Sequence, residues 1–249
     1  MPSFKDHFSN HATLYRDARP LPPADWFAWL AGQAPDLALA WDAGCGNGQA
    51  SIGLAAYFDR VVATDPSMTQ ITQAIAHPAI DYRVEPAERS SLAEASASLV
   101  CVSQALHWFD LDAFRAEVRR VARPGALLAV SAYGNCSVDR AVDAVERALY
   151  ADTLGGDWPS ERALVDSGYR ELPFPFEPVP TPSFAMHARW NLAQFVAYLR
   201  SWSATQRYMK RTGADPVQAA MPVLAAAWGD PDQARTVRWP FFTRVGRIA

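Results

Sequence analysis

The chain has 249 residues, a formal net charge of −3 and 50% hydrophobic residues. This balance excludes wholesale disorder and argues against a nucleic-acid-binding face, which needs a basic surface. The length permits one large domain or a core with an inserted cap, no apolar run approaches membrane-spanning length, and the N-terminus shows no signal-peptide pattern.

In chain order, residues 4–16 set Phe4, Phe8, Ala12 and Tyr15 at helical spacing. Arg19-Pro20 ends that element, and Leu21-Pro-Pro opens a loop. Ala24–Gly32 reads as a helix rich in Trp and Leu. An alternation then begins: strand 37–42, helix 48–57, strand 61–65, helix 67–76, strand 80–84, short helix 87–95, strand 98–103, helix 110–122 and strand 126–132. Arg123-Pro124-Gly125 reads as a helix stop and turn. Strands alternating with helices imply a parallel sheet covered by helices on both faces.

After Tyr133 the rhythm breaks. Amphipathic helices are expected at 137–150 and 160–167, followed by the proline run Leu172–Pro182. That run reads as a stiff connection into an edge strand at 183–190, with a polyproline partner ligand as the other reading. Helices follow at 192–201, 203–212 and 216–228, and 236–248 closes as a strand or hairpin. One domain is expected throughout: N-terminal helices in 1–35, the core in 36–133, a mostly helical cap with an edge strand in 134–230, and a terminal strand region in 231–249. Cys45, Cys101 and Cys136 lack metal-ligand spacing and cannot all pair, so a reduced, cytoplasmic, metal-free protein is expected.

The densest signal is Leu37–Asp65. An apolar strand runs into Asp42-Ala-Gly44-Cys-Gly46-Asn-Gly48, then a helix, then the strand Val61-Val-Ala-Thr-Asp65. A glycine turn opening a helix offers free N–H groups, and an acidic residue at the tip of the next strand can accept both hydroxyls of a ribose. The dinucleotide pattern wants glycine or alanine where Gln49 stands. The pattern present, D-x-G-x-G-x-G with Asp65 after the next strand, resembles motif I of the class I S-adenosylmethionine (SAM)-dependent methyltransferases. A nicotinamide or flavin cofactor and an empty glycine turn are the competing readings.

Further segments resemble the trans-aconitate methyltransferase-like (methyltransferase type 11) group: Phe4-Lys-Asp-His-Phe8 with Tyr15 and Arg19-Pro20, Gln104-Ala-Leu-His-Trp108, Leu199-Arg-Ser-Trp-Ser203, and Trp239–Arg247. Ser98, where many relatives are acidic, and Leu92-Ala93, where many have Leu-Pro, depart from the group's pattern. The resemblance implies a Rossmann-like, seven-stranded, mostly parallel sheet with an antiparallel C-terminal edge and a helical cap.

It also implies a cofactor site. Gly44, Gly46 and Gly48 would let SAM lie against the backbone. Asp42 would meet the cofactor's ammonium or cap the next helix. Asp65 would read the ribose or cap the helix after Pro66. Met68 would lie on adenine or in the core. Ala87 and Glu88 would flank adenine, or Glu88 would be a solvated helix-start residue. Ser103 and Gln104 would lie beneath the sulfonium, and Tyr15 and Arg19 would close over the cofactor or meet the acceptor. Trp108 reads as pocket wall or core. His107 has three readings: general base, acceptor hydrogen-bond donor, or packed histidine. The expected partner is a small molecule, without nucleic acid or membrane. Carboxylate O-methylation is the favoured reaction; an apolar natural product or lipid precursor as acceptor, and non-catalytic SAM binding, are the alternatives.

Overall fold

The computed structural model describes residues 19–248. The helix expected at 4–16, and Tyr15 with it, lie outside the described residues. The first described helix, α1 (Ala24–Gln33), is followed by β1 (Leu39–Ala43), α2 (Gln49–Ala55), β2 (Arg60–Asp65), α3 (Met68–Thr72), β3 (Ile80–Val84) and β4 (Ala97–Ser103). Then come a 3₁₀ turn at Leu106–Trp108, α4 (Leu111–Val121) and the long β5 (Ala122–Tyr133).

The main sheet has seven strands in the order β3-β2-β1-β4-β5-β9-β6, where β6 is Glu177–Pro178 and β9 is Phe241–Arg247. The first five are parallel, and β9 runs antiparallel to both β5 and β6. The order reverses between β1 and β4, so their carboxyl ends frame a crevice where open α/β sheets take ligands. Strand alternation sends side chains to two cores. Val100, Val102, Leu128 and Val130 pack with Trp41 and Phe114 on the α4 side. Leu99, Cys101, Leu127 and Ala129 pack with Trp26, Leu30 and Leu54 beneath α1 and α2.

Four elements differ from expectation. Residues 87–95 form turns and no helix. There Glu117 of α4 accepts the Ser90 N–H (2.7 Å) and pairs with Arg120 (2.6 Å), which itself reaches the Ser90 and Leu92 carbonyls, so backbone groups a helix would need are already engaged. Arg123-Pro124-Gly125 lies within β5 as a register shift against β4, with Gly125 at φ 77. The strand Met186–Trp190 (β7) does not join the main sheet; it pairs antiparallel with β8 (Arg235–Trp239) in a separate two-stranded sheet. The last segment is therefore neither one strand nor a hairpin: β8 and β9 flank Pro240, which has no N–H to donate, and belong to different sheets. Ser98, at the atypical position, donates its hydroxyl to Asp36 (2.5 Å), whose carboxylate also pairs with Arg123.

The cap carries α5 (Arg140–Arg147), continued by one π-helical stretch (Ala148–Thr153), and α6 (Arg162–Asp166). It continues with α7 (Leu192–Arg200), α8 (Ser203–Thr212) and α9 (Pro216–Trp228). Asp139, Asn191 and Asp215 cap α5, α7 and α9 with side-chain acceptors, and Asn191 closes a capping box with Gln194. Phe195, Tyr198, Leu199, Trp228, Val237 and Trp239 centre a third hydrophobic cluster here.

Where α1 meets α2, Gly53 lies against the buried ring of Phe27; a Cβ there would come within 2.2 Å of it. We therefore expect Gly53→Ala to lower stability by about 1–3 kcal/mol through overpacking, despite alanine's better helix propensity. Urea unfolding of the two proteins checks this, and pairing the change with Phe27→Leu should recover part of the loss.

Candidate active site

At the carboxyl end of β1 the chain turns over Gly44, Gly46 and Gly48, all at positive φ (70, 55 and 88°). The Gly44 and Cys45 N–H groups both donate to the Thr64 carbonyl of β2 (2.8 and 2.9 Å). Asp65 completes the tie. Its Oδ2 accepts the Gly46 N–H and its Oδ1 the Ser67 N–H, both at 2.9 Å. Asp65 is thus not the helix cap: the side chain of Ser67 accepts from the Gln70 N–H at the start of α3.

Above this turn lies a cavity of about 820 Å³. Its lining includes Asp42, Gly44, Gly46, Asp65, Ala87, Glu88, Ser103, Gln104, His107 and Trp108, so most of the residues singled out from sequence converge on one space. Three do not line it. Gly48 is buried behind the turn, where a Cβ would come within 2.1 Å of the Tyr82 hydroxyl, so packing demands that glycine. Met68 is 61% exposed, because Ser67 starts α3 and turns the next side chain outward. Arg19 lines a smaller adjoining recess of about 50 Å³, donating to the Tyr133 hydroxyl (3.0 Å) and the Ser201 carbonyl (2.8 Å).

Two lining residues serve the scaffold as well. Gln104 leaves β4 at φ 58, and its Oε1 accepts the Tyr133 N–H (2.8 Å), clasping the end of β5. Glu88 accepts the Asp110 N–H (2.9 Å), joining the 86–90 turn to the start of α4. Asn47, Gln70, Phe109 and Tyr133 also line the cavity and were not singled out from sequence.

Three buried atoms of the lining lack a hydrogen-bond partner among the described residues: Asp42 Oδ1, Asn47 Nδ2 and Gln70 Oε1. Each such orphan costs about 1–3 kcal/mol unless a ligand meets it. Asp42 is fully buried; its other oxygen accepts the Ser51 hydroxyl (2.6 Å). Burial raises its pKa to about 7, with Asp65's charge adding to the rise. Cys45 is pushed up by burial and by both carboxylates, which leaves it an inert thiol. Among the described residues no group of three or more His, Cys, Asp or Glu is placed to hold a metal ion, and no helix is long and apolar enough to cross a membrane.

Residues 41–130 match the family model described as a methyltransferase domain. The solved structure of a protein from Anaeromyxobacter dehalogenans, provisionally described as a type II methyltransferase, is 50% identical and superposes with a TM-score of 0.86, over 92% of this chain and 97% of that one. The chain is a class I SAM-dependent methyltransferase. A Dictyostelium discoideum protein provisionally named a methyltransferase is 29% identical to this methyltransferase over 92% of the chain and 89% of its own length. Malonyl-[acyl-carrier protein] O-methyltransferase of Methylovorus sp. (strain MP688) is 34% identical over 42% of the chain and 39% of its own length.

SAM is the cofactor of this methyltransferase, and the cavity suits it. An ammonium, ribose hydroxyls and an adenine edge would offer the donors and acceptors that the three orphaned atoms lack, and Gly46 leaves a turn a ligand can approach, with nothing nearer a Cβ there than Gln70 Oε1 at 3.9 Å.

Asp65→Ala strips two N–H groups of their acceptor, so we expect it to destabilise the free protein by about 1–3 kcal/mol as well as to weaken SAM binding. Denaturant unfolding without ligand, beside calorimetry, separates the two losses. Asp42 gives a pH prediction. A carboxyl raised to about 7 in the free fold is neutral below that pH and must lose its proton to meet an ammonium. SAM affinity should therefore fall as pH drops through about 7, with proton release on binding. Calorimetry in buffers of different ionisation heat should show that release, and Asp42→Asn should bind more weakly with no such dependence.

Proposed function

We propose that this methyltransferase acts on a small-molecule carboxylate, forming a methyl ester, within the trans-aconitate methyltransferase-like group. SAM supplies an electrophilic methyl on a sulfonium, for in-line transfer to a nucleophilic oxygen. In this reading Asp42 holds the ammonium, Asp65 the ribose hydroxyls, and the Gly44–Gly46 backbone the chain between them. Ala87 and Glu88 border the adenine, with Asn47 and Gln70 as further contacts. Ser103 and Gln104 form the floor below the reacting centre.

The observation that carries the carboxylate reading is the state of His107. It lines both the main cavity and the recess, and its Nδ1 is engaged by the Tyr169 hydroxyl at 2.7 Å. Burial, reinforced by the positive charge of Arg162 and opposed by Glu161, lowers its pKa to about 3. A base with that pKa cannot usefully take a proton from a phenol or an amine at neutral pH. A carboxylate is already ionised there and needs only alignment. The sequence motifs shared with the group and the O-methyltransferase relative point the same way.

A second reading has its own support. The recess beside His107 is walled by Trp108, Trp158 and Trp202 with Pro159 and Val165, beside Arg19, Gln104, Arg162 and Ser203. At about 50 Å³ it has room for one small apolar group of a natural product or lipid precursor that otherwise fills the main cavity. Incubation with methyl-labelled SAM and a panel of small acids, phenols and apolar alcohols tests the two. Base-labile methyl esters support the carboxylate reading; label found only in ethers overturns it.

Under the carboxylate reading His107→Gln should lower kcat/KM about tenfold or less, and His107→Ala somewhat more, mainly through the acceptor's KM. The pH–rate profile between 5 and 8 should show no histidine limb, since the neutral ring persists well below that window. A limb near pH 6.5 that vanishes in both variants, with kcat losses of about 10²–10⁴, would mark a general base instead.

A further inference from the structure

We propose that Tyr169 is a positioning residue: its hydroxyl locks His107 in the tautomer protonated at Nε2, so that a neutral N–H donor is presented to the acceptor oxygen. The acceptor end of this inference rests on the reading under Proposed function; the tautomer does not.

Tyr169 reaches His107 through an unusual backbone. It sits at φ 58, a left-handed conformation uncommon for a non-glycine residue, directly after Gly168 at φ 62. The segment is clamped from both sides. The Tyr169 N–H donates to the Leu164 carbonyl of α6 (2.8 Å). Its carbonyl accepts Arg244 Nη1 (2.5 Å), which also reaches the Leu172 carbonyl (2.8 Å). The clamp drives the ring inward until the residue is 1% exposed. The Tyr169 and His107 rings then lie 5.9 Å apart at 28°, with the hydroxyl 2.7 Å from Nδ1. Packing alone would accept phenylalanine here.

The direction of that hydrogen bond follows from what each atom can do. Burial pushes the Tyr169 phenol far up, so it keeps its proton. Among the described residues, the hydroxyl has one hydrogen-bond partner, His107 Nδ1. Its buried hydrogen would be left without an acceptor unless it donates to Nδ1. A nitrogen that accepts carries no proton, so a neutral imidazole must carry it on Nε2. Charging the ring would leave the phenolic hydrogen buried without an acceptor. The neighbouring charges are Arg162, which opposes protonation, and Glu161, which favours it. Arg162 is fixed near the ring by Asp166 (2.8 Å) and Asn135 (3.0 Å).

The test uses the intact chain labelled with ¹⁵N-histidine. Imidazole nitrogen shifts distinguish a protonated nitrogen from one with a lone pair. Five histidines are present, and loss of one signal set in His107→Gln assigns His107. We expect a protonated Nε2 and a lone-pair Nδ1 that hold from pH 5 to 8. In Tyr169→Phe the two signals should move toward the averaged values of exchanging tautomers. In that variant kcat/KM for the acceptor should fall about tenfold, chiefly in its KM, with the KM for SAM unchanged. A proton on Nδ1 in the unsubstituted chain overturns the proposal without any variant, so a failure of Tyr169→Phe to fold cannot shelter it. Unchanged shifts in Tyr169→Phe also overturn it, since the hydroxyl would then be only a satisfied core group. The expected shifts together with ether-only products support the tautomer lock while refuting the carboxylate reading.

Discussion

The carboxylate of Asp65 is the constraint on which the cavity depends. One oxygen holds the Gly46 N–H and the other the Ser67 N–H, so the glycine turn after β1 and the turn after β2 are fixed to one group. The Thr64 carbonyl adds two more bonds from the same turn. These bonds form only if β1 and β2 lie in their parallel register, Ala43 opposite Thr64. Sheet register therefore dictates where the turn's remaining groups face. It also brings Asp42 close enough for Asp65 to disfavour its charge, in a place where burial already does so. Two carboxylates at a strand crevice form a site that gains from a cation, and the cofactor carries cationic groups.

Much of the parallel core was legible because β1, β2, β4 and β5 carry apolar runs and glycine or proline marks the turns beside them. β3 and the helices α8 and α9 match the expected bounds, and the caps and breakers that set those ends are local. What was not legible depended on distant partners. The 87–95 segment has helical composition, yet Glu117 and Arg120 of α4 take up its backbone groups. The fate of Met186–Trp190 turned on whether its partner would be β9 or β8, a choice no local pattern encodes.

The site shows the same division. The glycines and Asp65 announced themselves by spacing, while the duties of Gln104 and Glu88 toward Tyr133 and Asp110 needed the fold. Gln70 did leave a trace. Ser67-Met-Thr-Gln70 is the pattern of a capping box, with glutamine at the third helical position. In the structure Ser67 performs its half, but Gln70 Oε1 remains without a partner and borders the cavity. Met68, the more conspicuous ligand candidate, is one step off that face. Tyr169 had no sequence signal at all, because its partner lies 62 positions away.

The route of the chain after Tyr133 decides how the cap is tied to the sheet. Gly134 leaves the main sheet hydrogen-bonded to Pro240, where the chain comes back (3.0 Å). Between those points it returns once more: Val165, Tyr169 and Phe176 pack into the core beneath α4, and β6 pairs with β9. The segment is thus tied to the main sheet at two separated places, at the tip of β5 and along its antiparallel edge. His107 and Tyr169 meet at the inner of these ties, so the ring pair at the cavity wall is set by the same return of the chain that pairs β6 with β9.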